Sequence, residues 1–264
     1  MNQGKSRLVS WFPYILIAAL AVAAMGNMGL LDPVRLAKGV VNTGVFAKDL
    51  FPPNLDILAT LSKAMLETLQ IAFVGTLLGF VMSLPLALLA TRTVFRPAIT
   101  LPLRLFLGIV RTVPSVLWAV VFVVAFGLGP VAGTFAIAFY SLGYLGKLFY
   151  EAFEGVDQEV VEAVRSVGCN RIQLMRYALL PEAANNILSQ LLFVFEYNVR
   201  TSTIMGFVGA GGIGFYMLGY LQLLQYQNLM TSLLLTLVVV LIIDQISARV
   251  RGLVLPPARL ATNN

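Results

Sequence analysis

Apolar residues run in long blocks along this chain, each broken by a short polar or glycine-rich interval. The blocks are Pro13–Leu31, Leu61–Ala90, Thr112–Leu128, Val131–Tyr150, Ala183–Phe207 and Asn228–Ser247. Each is close to the ~20 residues that a helix needs to cross the bilayer core. Their length excludes the short alternating segments of a β-barrel. The pattern predicts an all-α integral membrane protein, a polytopic bundle of about six transmembrane helices over residues 1–264. No internal repeat and no soluble domain breaks it. The first block could be mistaken for a signal peptide, but Met25-Gly26-Asn27-Met28 is a poor cleavage site, so it is read as retained.

The intervals differ in character. Asp32–Thr60 is amphiphilic, with a turn at Phe51-Pro52-Pro53-Asn54. Thr91–Arg111 carries Arg92, Arg96, Arg104 and Arg111 and reads as an interfacial connector, with Arg111 as an anchor that can snorkel. Gly206 to Gly214 holds five glycines in Gly-Phe-Val-Gly-Ala-Gly-Gly-Ile-Gly, too many for a stable helix. At membrane depth such backbone must be buried in protein or line a water-filled cavity. It is either a gate element of a translocation path or a tight turn packed between helices. No strand precedes it, so it is not a dinucleotide fingerprint.

The most polar interval is Gly155–Pro181, with Asp157, Glu159, Glu162, Arg165, Arg171 and Arg176. It cannot lie in hydrocarbon. Two short helices are expected, the first capped by Asp157 and ended at Gly168. The second starts at an Asn170–Gln173 capping box and ends with help from Pro181. A helix–glycine–helix hairpin between two spans suits docking to another protein.

Composition agrees with a membrane protein: 59% of residues are hydrophobic and 11% charged, against about 25% charged in soluble domains. There is no histidine and one cysteine, Cys169, which excludes histidine relays, His-ligated metals and an intrachain disulfide. Lysine and arginine set the orientation. Lys5, Arg7, Arg92, Arg96, Arg104, Lys147, Arg165, Arg171, Arg176, Arg249, Arg251 and Arg259 share one side; Arg35, Lys38, Lys48 and Lys63 share the other. Twelve against four places both termini and the hairpin in the cytoplasm.

Charges inside the spans are few. Glu196 and Arg200 lie one helical turn apart and are expected to pair, since a lone charge at mid-bilayer costs about 2.5–3.5 kcal/mol. The pair is either structural or offers Arg200 to a passing anion. Asp244 has Arg249 or a helix terminus as its expected partner. Gly75 and Gly79 are spaced for close helix packing. Gly143-Tyr-Leu-Gly-Lys147 lacks the first glycine and the final Ser or Thr of a phosphate loop, so no nucleotide site is expected in this chain. No nucleophile–base or metal constellation marks an enzyme, and the rarity of mid-span carboxylates argues against a secondary transporter.

Glu162-Ala163-Val164, Gly168, Ala178 and Leu180-Pro181 resemble the "EAA" loop of bacterial ABC-importer permeases, departing at Val164 and Ala178. The wider set is similar to the phosphonate-type importer permeases. It comprises Phe51-Pro-Pro-Asn54, Arg111-Thr-Val-Pro-Ser115, Ala125–Pro130, Gly143–Lys147, Phe195–Thr203 and Val208–Gly214, with Ser115 where relatives commonly carry an acidic residue. The resemblance implies a type I (MetI-like) permease of the bacterial inner membrane, with a core over about 51–250. It implies coupling to the ATPase through Glu162, Ala163, Gly168, Leu180 and Pro181. Glu196, Arg200, Ser202, Gly209, Gly211 and Gly212 are its path candidates. It also implies a homodimer, two ATPase subunits binding ATP and Mg, a periplasmic substrate-binding protein, membrane lipid around the spans and no nucleic acid. The substrate would be a phosphonate, phosphite or hypophosphite. A methionine or quaternary-amine permease is the closer rival.

Overall fold

The computed structural model describes residues 3–254, without the side chains of residues 3–10, 12 and 254; the tail arginine Arg259 lies outside the described residues. Contacts divide the chain into two compact units, Met1–Pro52 and Pro53–Asn264.

The first unit holds α1 (Gln3–Asn27) and α2 (Pro33–Asp49). The Asp32 side chain accepts from the backbone N–H groups of Val34 (3.0 Å) and Arg35 (3.2 Å) and starts α2, with Pro33 in its first turn.

In the second unit, α3 (Leu58–Ala90) and α6 (Pro130–Glu154) run side by side in the same direction. Gly75 lies on Ile137 and Gly79 on Ser141; a Cβ there would come within 2.7 and 2.5 Å of those side chains. The expected glycine packing is thus present.

The chain then turns back. α4 (Pro97–Thr112) does not lie across the bundle end as a connector. It climbs α6, with Leu107 buried against Gly146 and the Arg111 backbone against Gly143. At 1.5 Å per residue, Gly143 stands about 16 Å along α6 from Glu154, so Arg111 is held that far up α6 rather than at the bundle end. At Val113-Pro114 the chain bends by 88° into α5 (Ser115–Phe126). The residue before proline is held extended, and Val113 is so (ψ 121°). Sequence reading missed this because the arginines look interfacial. The short α5 is fixed by aromatic rings: Trp118, Phe122 and Phe126 meet Phe135 and Phe139 of α6 with centroids 5.0–5.8 Å apart.

After α6 comes the polar hairpin: α7 (Gln158–Ser166), then α8 (Arg171–Leu174). Asp157 accepts from Glu159 N–H, and both hydrogen bonds of the Asn170–Gln173 capping box form. Pro181, however, ends nothing. A π-helical turn at Met175–Leu179 runs into α9 (Leu180–Met205), and the whole stretch Arg171–Val208 is one apolar span. In the wide turn, Leu180 N–H donates to Met175 O, five residues back. Pro181 follows directly, and the wide turn before it accommodates the hydrogen bond that its missing N–H cannot make.

A 3-10 turn (Gly206–Val208) leads through Gly209–Gly212 to α10 (Ile213–Gln222) and α11 (Tyr226–Val254). Among the described residues four helices can span a membrane, or five if the bent α4–α5 pair is one span. Of the sixth expected span, Pro13–Leu31, the part Pro13–Asn27 is apolar and helical within α1. It breaks at a turn through Gly29 (φ 73°) before the Asp32 cap.

Candidate functional site

The hairpin stands on a rigid root. Phe149, Phe153, Val161, Leu174, Leu179 and Ala183 are buried together, joining α6, the hairpin and α9. Arg165 donates to the Thr93 carbonyl, and Arg171 lies over the Phe95 ring, centroid at 5.6 Å. Beside them Glu154 accepts from the Arg92 backbone N–H (2.7 Å) and pairs with Arg104. Above this root Glu162, Ala163, Gly168 and Pro181 are exposed and Leu180 is half-buried. Gly168 has the left-handed φ of 78°. Sequence reading missed the apolar tip: Val167, Ile172 and Tyr177 are 81%, 70% and 63% exposed. The signal was present, as these are bulky residues interrupting a polar run. An exposed apolar tip on a braced polar stalk is suited to entering a cleft on another protein.

The brace makes a prediction about Gly168. Open space surrounds it, so a side chain there is penalised by the backbone alone, by about 1–2 kcal/mol. Gly168→Val is expected to tilt α7 against α8, leave the spans inserted and lower uptake. Gly168→Asn should be milder, because asparagine visits this conformation readily. Uptake at matched membrane levels checks this; equal uptake by Gly168→Val and the parent removes the hairpin from coupling.

At the opposite end, the glycine run is tied down. Glu67 Oε1 accepts from Gly212 N–H, and Thr68 Oγ1 accepts from Ile213 N–H, both at 2.8 Å. Gly129 N–H donates to Gly209 O (2.9 Å). Gly209, Gly211 and Gly212 have φ of 86°, 84° and 75°. A Cβ on Gly211 would fall 2.7 Å from Glu67 Oε1 and 2.9 Å from Pro130 N. The run is therefore a turn packed between helices. It also borders a cavity of about 240 Å³ lined by Glu67, Leu128, Gly129, Gly211, Phe215 and Tyr216. Ser202 is buried between α9 and α3, donating to Val199 O (2.9 Å) and Thr68 O (3.4 Å). Glu67 and Thr68 escaped the sequence reading, since no local pattern joins them to a run 145 residues on.

Midway along the bundle, Asn198 is fully buried and its Nδ2 donates to Thr76 Oγ1 and Ser141 Oγ, each at 2.8 Å. On the same helix, Glu196 and Arg200 do not pair with each other. Arg200 Nη2 contacts Asp244 Oδ1 (2.6 Å) and Oδ2 (2.5 Å). Glu196 Oε1 lies 2.7 Å from Arg251 Nη1. Both acids and both bases thus bridge α9 to α11, and Asp244 takes Arg200 rather than Arg249. The physical reason is reach: two long side chains on one helix face a packed neighbour that carries the complementary charges. Glu196 is 8% exposed, whereas the Arg200 side chain is 49% exposed in this single chain.

Residues 75–256 match the family described as binding-protein-dependent transport system inner membrane component. The chain is 34% identical over 237 residues to the phosphite transport system permease protein PtxC of Stutzerimonas stutzeri, covering 89% of this chain and 86% of that one. It is 37% identical over 226 residues to the putative phosphite transport system permease protein HtxC of the same organism, covering 85% and 80%. Among solved structures, a chain of the inward-facing MetNI methionine ABC transporter superposes with a TM-score of 0.70. That match has 23% identity and covers 77% of this chain and 100% of that one, a likeness of fold. On the family match and these relatives, the chain belongs to the inner-membrane permeases of binding-protein-dependent ABC importers.

Proposed function

We propose that this chain is the membrane-spanning permease of an ATP-driven importer for a phosphorus oxyanion of the phosphite and phosphonate class. The observation that carries the substrate class is the similarity to phosphite permeases over 85–89% of this chain. The hairpin docks to a cytoplasmic ATPase, which binds ATP and Mg; the permease itself does no chemistry and needs no cofactor. The lysine and arginine excess supports a cytoplasmic hairpin end and cytoplasmic termini. The half-exposed Arg200–Asp244 pair supports a homodimer. A charge pair on α9 and α11 is poorly suited to lipid and well suited to a second copy or an aqueous path. A periplasmic binding protein delivers the anion.

A second reading has one observation in its favour. Tyr140 stacks on Tyr144 and on Tyr197, with centroids 5.8 and 5.7 Å apart, and aromatic groups suit a quaternary amine. A relative at 26% identity is named a glycine betaine/carnitine/choline permease. Here, though, the rings stack on each other rather than forming a cage. The test is ATP hydrolysis by the complete complex with its binding protein. Phosphite or a phosphonate is expected to stimulate it and choline and methionine are not; stimulation by choline alone overturns the substrate class.

A further inference from the structure

A cleft of about 270 Å³ opens at the hairpin end of the bundle, lined by Thr93, Arg165, Cys169, Asn170, Arg171 and Leu174. The left-handed Gly168 reverses the chain between α7 and α8. The last turn of α7 and the first residue of α8 therefore bring one guanidinium each to the same cleft. Residues 91–96, between α3 and α4, supply the facing wall: Arg165 donates to the Thr93 carbonyl, and Arg171 lies over the Phe95 ring. Neither contact saturates its arginine. A guanidinium carries five N–H donors. Arg165 uses one at Thr93, and Arg171 turns its flat face to Phe95, which leaves the donors along its edge.

The polar groups around the cleft favour an anion. Among the described residues no ion pair includes Arg165 or Arg171, and no carboxylate lines the cleft. Asn170 accepts from Gln173 N–H through its side-chain oxygen (2.9 Å), which leaves Nδ2 to donate. Lysine and arginine are abundant on a cytoplasmic face, so charge alone says little. Two guanidiniums bordering one cleft without an acid say more. Arg171 also opens its helix, the end at which a cation is disfavoured, so the helix does not account for it.

We propose that this cleft holds a phosphate group, gripped by Arg165 and Arg171, at the joint between the hairpin and the segment before α4. The planar fork of each arginine matches two phosphate oxygens. The volume admits the group with bridging waters, whose share is about 30 Å³ each. Bound there, phosphate ties both hairpin helices to residues 91–96 and stiffens the root of the hairpin. Free phosphate and an anionic lipid headgroup share this chemistry.

Cys169 makes the cleft readable, being the one cysteine of the chain and part of the cleft wall. The permease with its ATPase is placed in nanodiscs of phosphatidylcholine, and alkylation of Cys169 by N-ethylmaleimide is followed by mass spectrometry of its peptide. Inorganic phosphate, against chloride at equal ionic strength, is expected to slow alkylation several-fold and saturably. Arg165→Gln and Arg171→Gln should each raise the phosphate concentration for half-protection about tenfold or more, the loss typical of one charged hydrogen bond. Arg171→Lys should fall between. Arg176→Gln should change nothing, since that guanidinium lies over Tyr177 and does not line the cleft. In a second arm phosphate is omitted and phosphatidylglycerol is added to the disc; protection there that needs the same two arginines identifies the headgroup as the source.

Alkylation equally fast in phosphate, phosphatidylglycerol and chloride overturns the site. So does protection that survives in the double Arg165→Gln, Arg171→Gln. A Cys169 that reacts in the free permease but never in the complex, whatever the anion, also overturns it, because the ATPase then fills the cleft. No uptake is measured, so the result is independent of which anion the importer carries.

Discussion

Gly214→Ala is expected to abolish uptake and to remove most folded permease from the membrane. The end of α9 and the start of α10 cross here with no side chain between them. A Cβ on Gly214 would fall 1.8 Å from the Thr203 carbonyl oxygen, and one on Gly206 would fall 2.7 Å from Gly214 Cα. Backbone lies on both sides, so neither partner can rotate away as a side chain could. Overpacking costs about 1–3 kcal/mol where side chains can adjust; here the upper end or more is expected. The displaced turn would also pull Gly212 and Ile213 from Glu67 and Thr68, leaving buried polar groups unpaired. Gly219, with nothing within 4 Å of its would-be Cβ, is the matched control. Gly219→Ala should be neutral or add up to about 1 kcal/mol through helix propensity. Thermal unfolding of detergent-purified protein measures both; equal stability of Gly214→Ala and Gly219→Ala would refute the crossing.

The second large effect separates the observed charge pairing from pairing along one helix. Breaking a buried ion pair from one side costs about 3–5 kcal/mol, while replacing both partners can be nearly neutral. Asp244→Asn alone leaves Arg200 stranded, and Glu196→Gln alone leaves Arg251 stranded. Glu196→Gln, at the buried pair, is expected to lower folded yield severely; Asp244→Asn is expected to cost less, because Arg200 and Asp244 are 49% and 34% exposed. The double Arg200→Gln, Asp244→Asn should restore it, as should Glu196→Gln, Arg251→Gln. The double Glu196→Gln, Arg200→Gln should not, because it strands both partners on α11. Recovery by that last double and not by the first two would reverse the assignment. Where the Arg200 double recovers folding but not uptake, Arg200 also serves the path.

What could be read from the chain was local. Asp157, Asn170 with Gln173, and Gly168 all act within four residues of themselves, and each takes the expected place. Gly75 and Gly79 need only helical spacing to mark a close contact, and the glycine run excludes helix by composition alone. What could not be read depends on distant partners. The partners of Glu196 and Arg200 are decided by α11, at Arg251 and Asp244, 55 and 44 residues on. Pro181 reads as a stop unless the π turn before it is known. Four arginines in Thr91–Arg111 read as interfacial until Gly143 and Gly146 open a groove that lets α4 climb α6. The tie from Glu67 to Gly212 has no sequence signal. Most of the candidate path belongs to this second class, and most of the coupling hairpin to the first.

The account's central claim is that ATP hydrolysis at the hairpin end drives a phosphorus oxyanion through this bundle. The direct measurement is uptake of labelled phosphite into sealed proteoliposomes holding the permease, its ATPase and its binding protein, for the parent and for Glu162→Ala. The account predicts uptake that requires ATP on the hairpin side, and, in Glu162→Ala, hydrolysis that continues while uptake falls. Phosphite uptake that proceeds equally without ATP, or that Glu162→Ala and Gly168→Val both leave untouched, would contradict it.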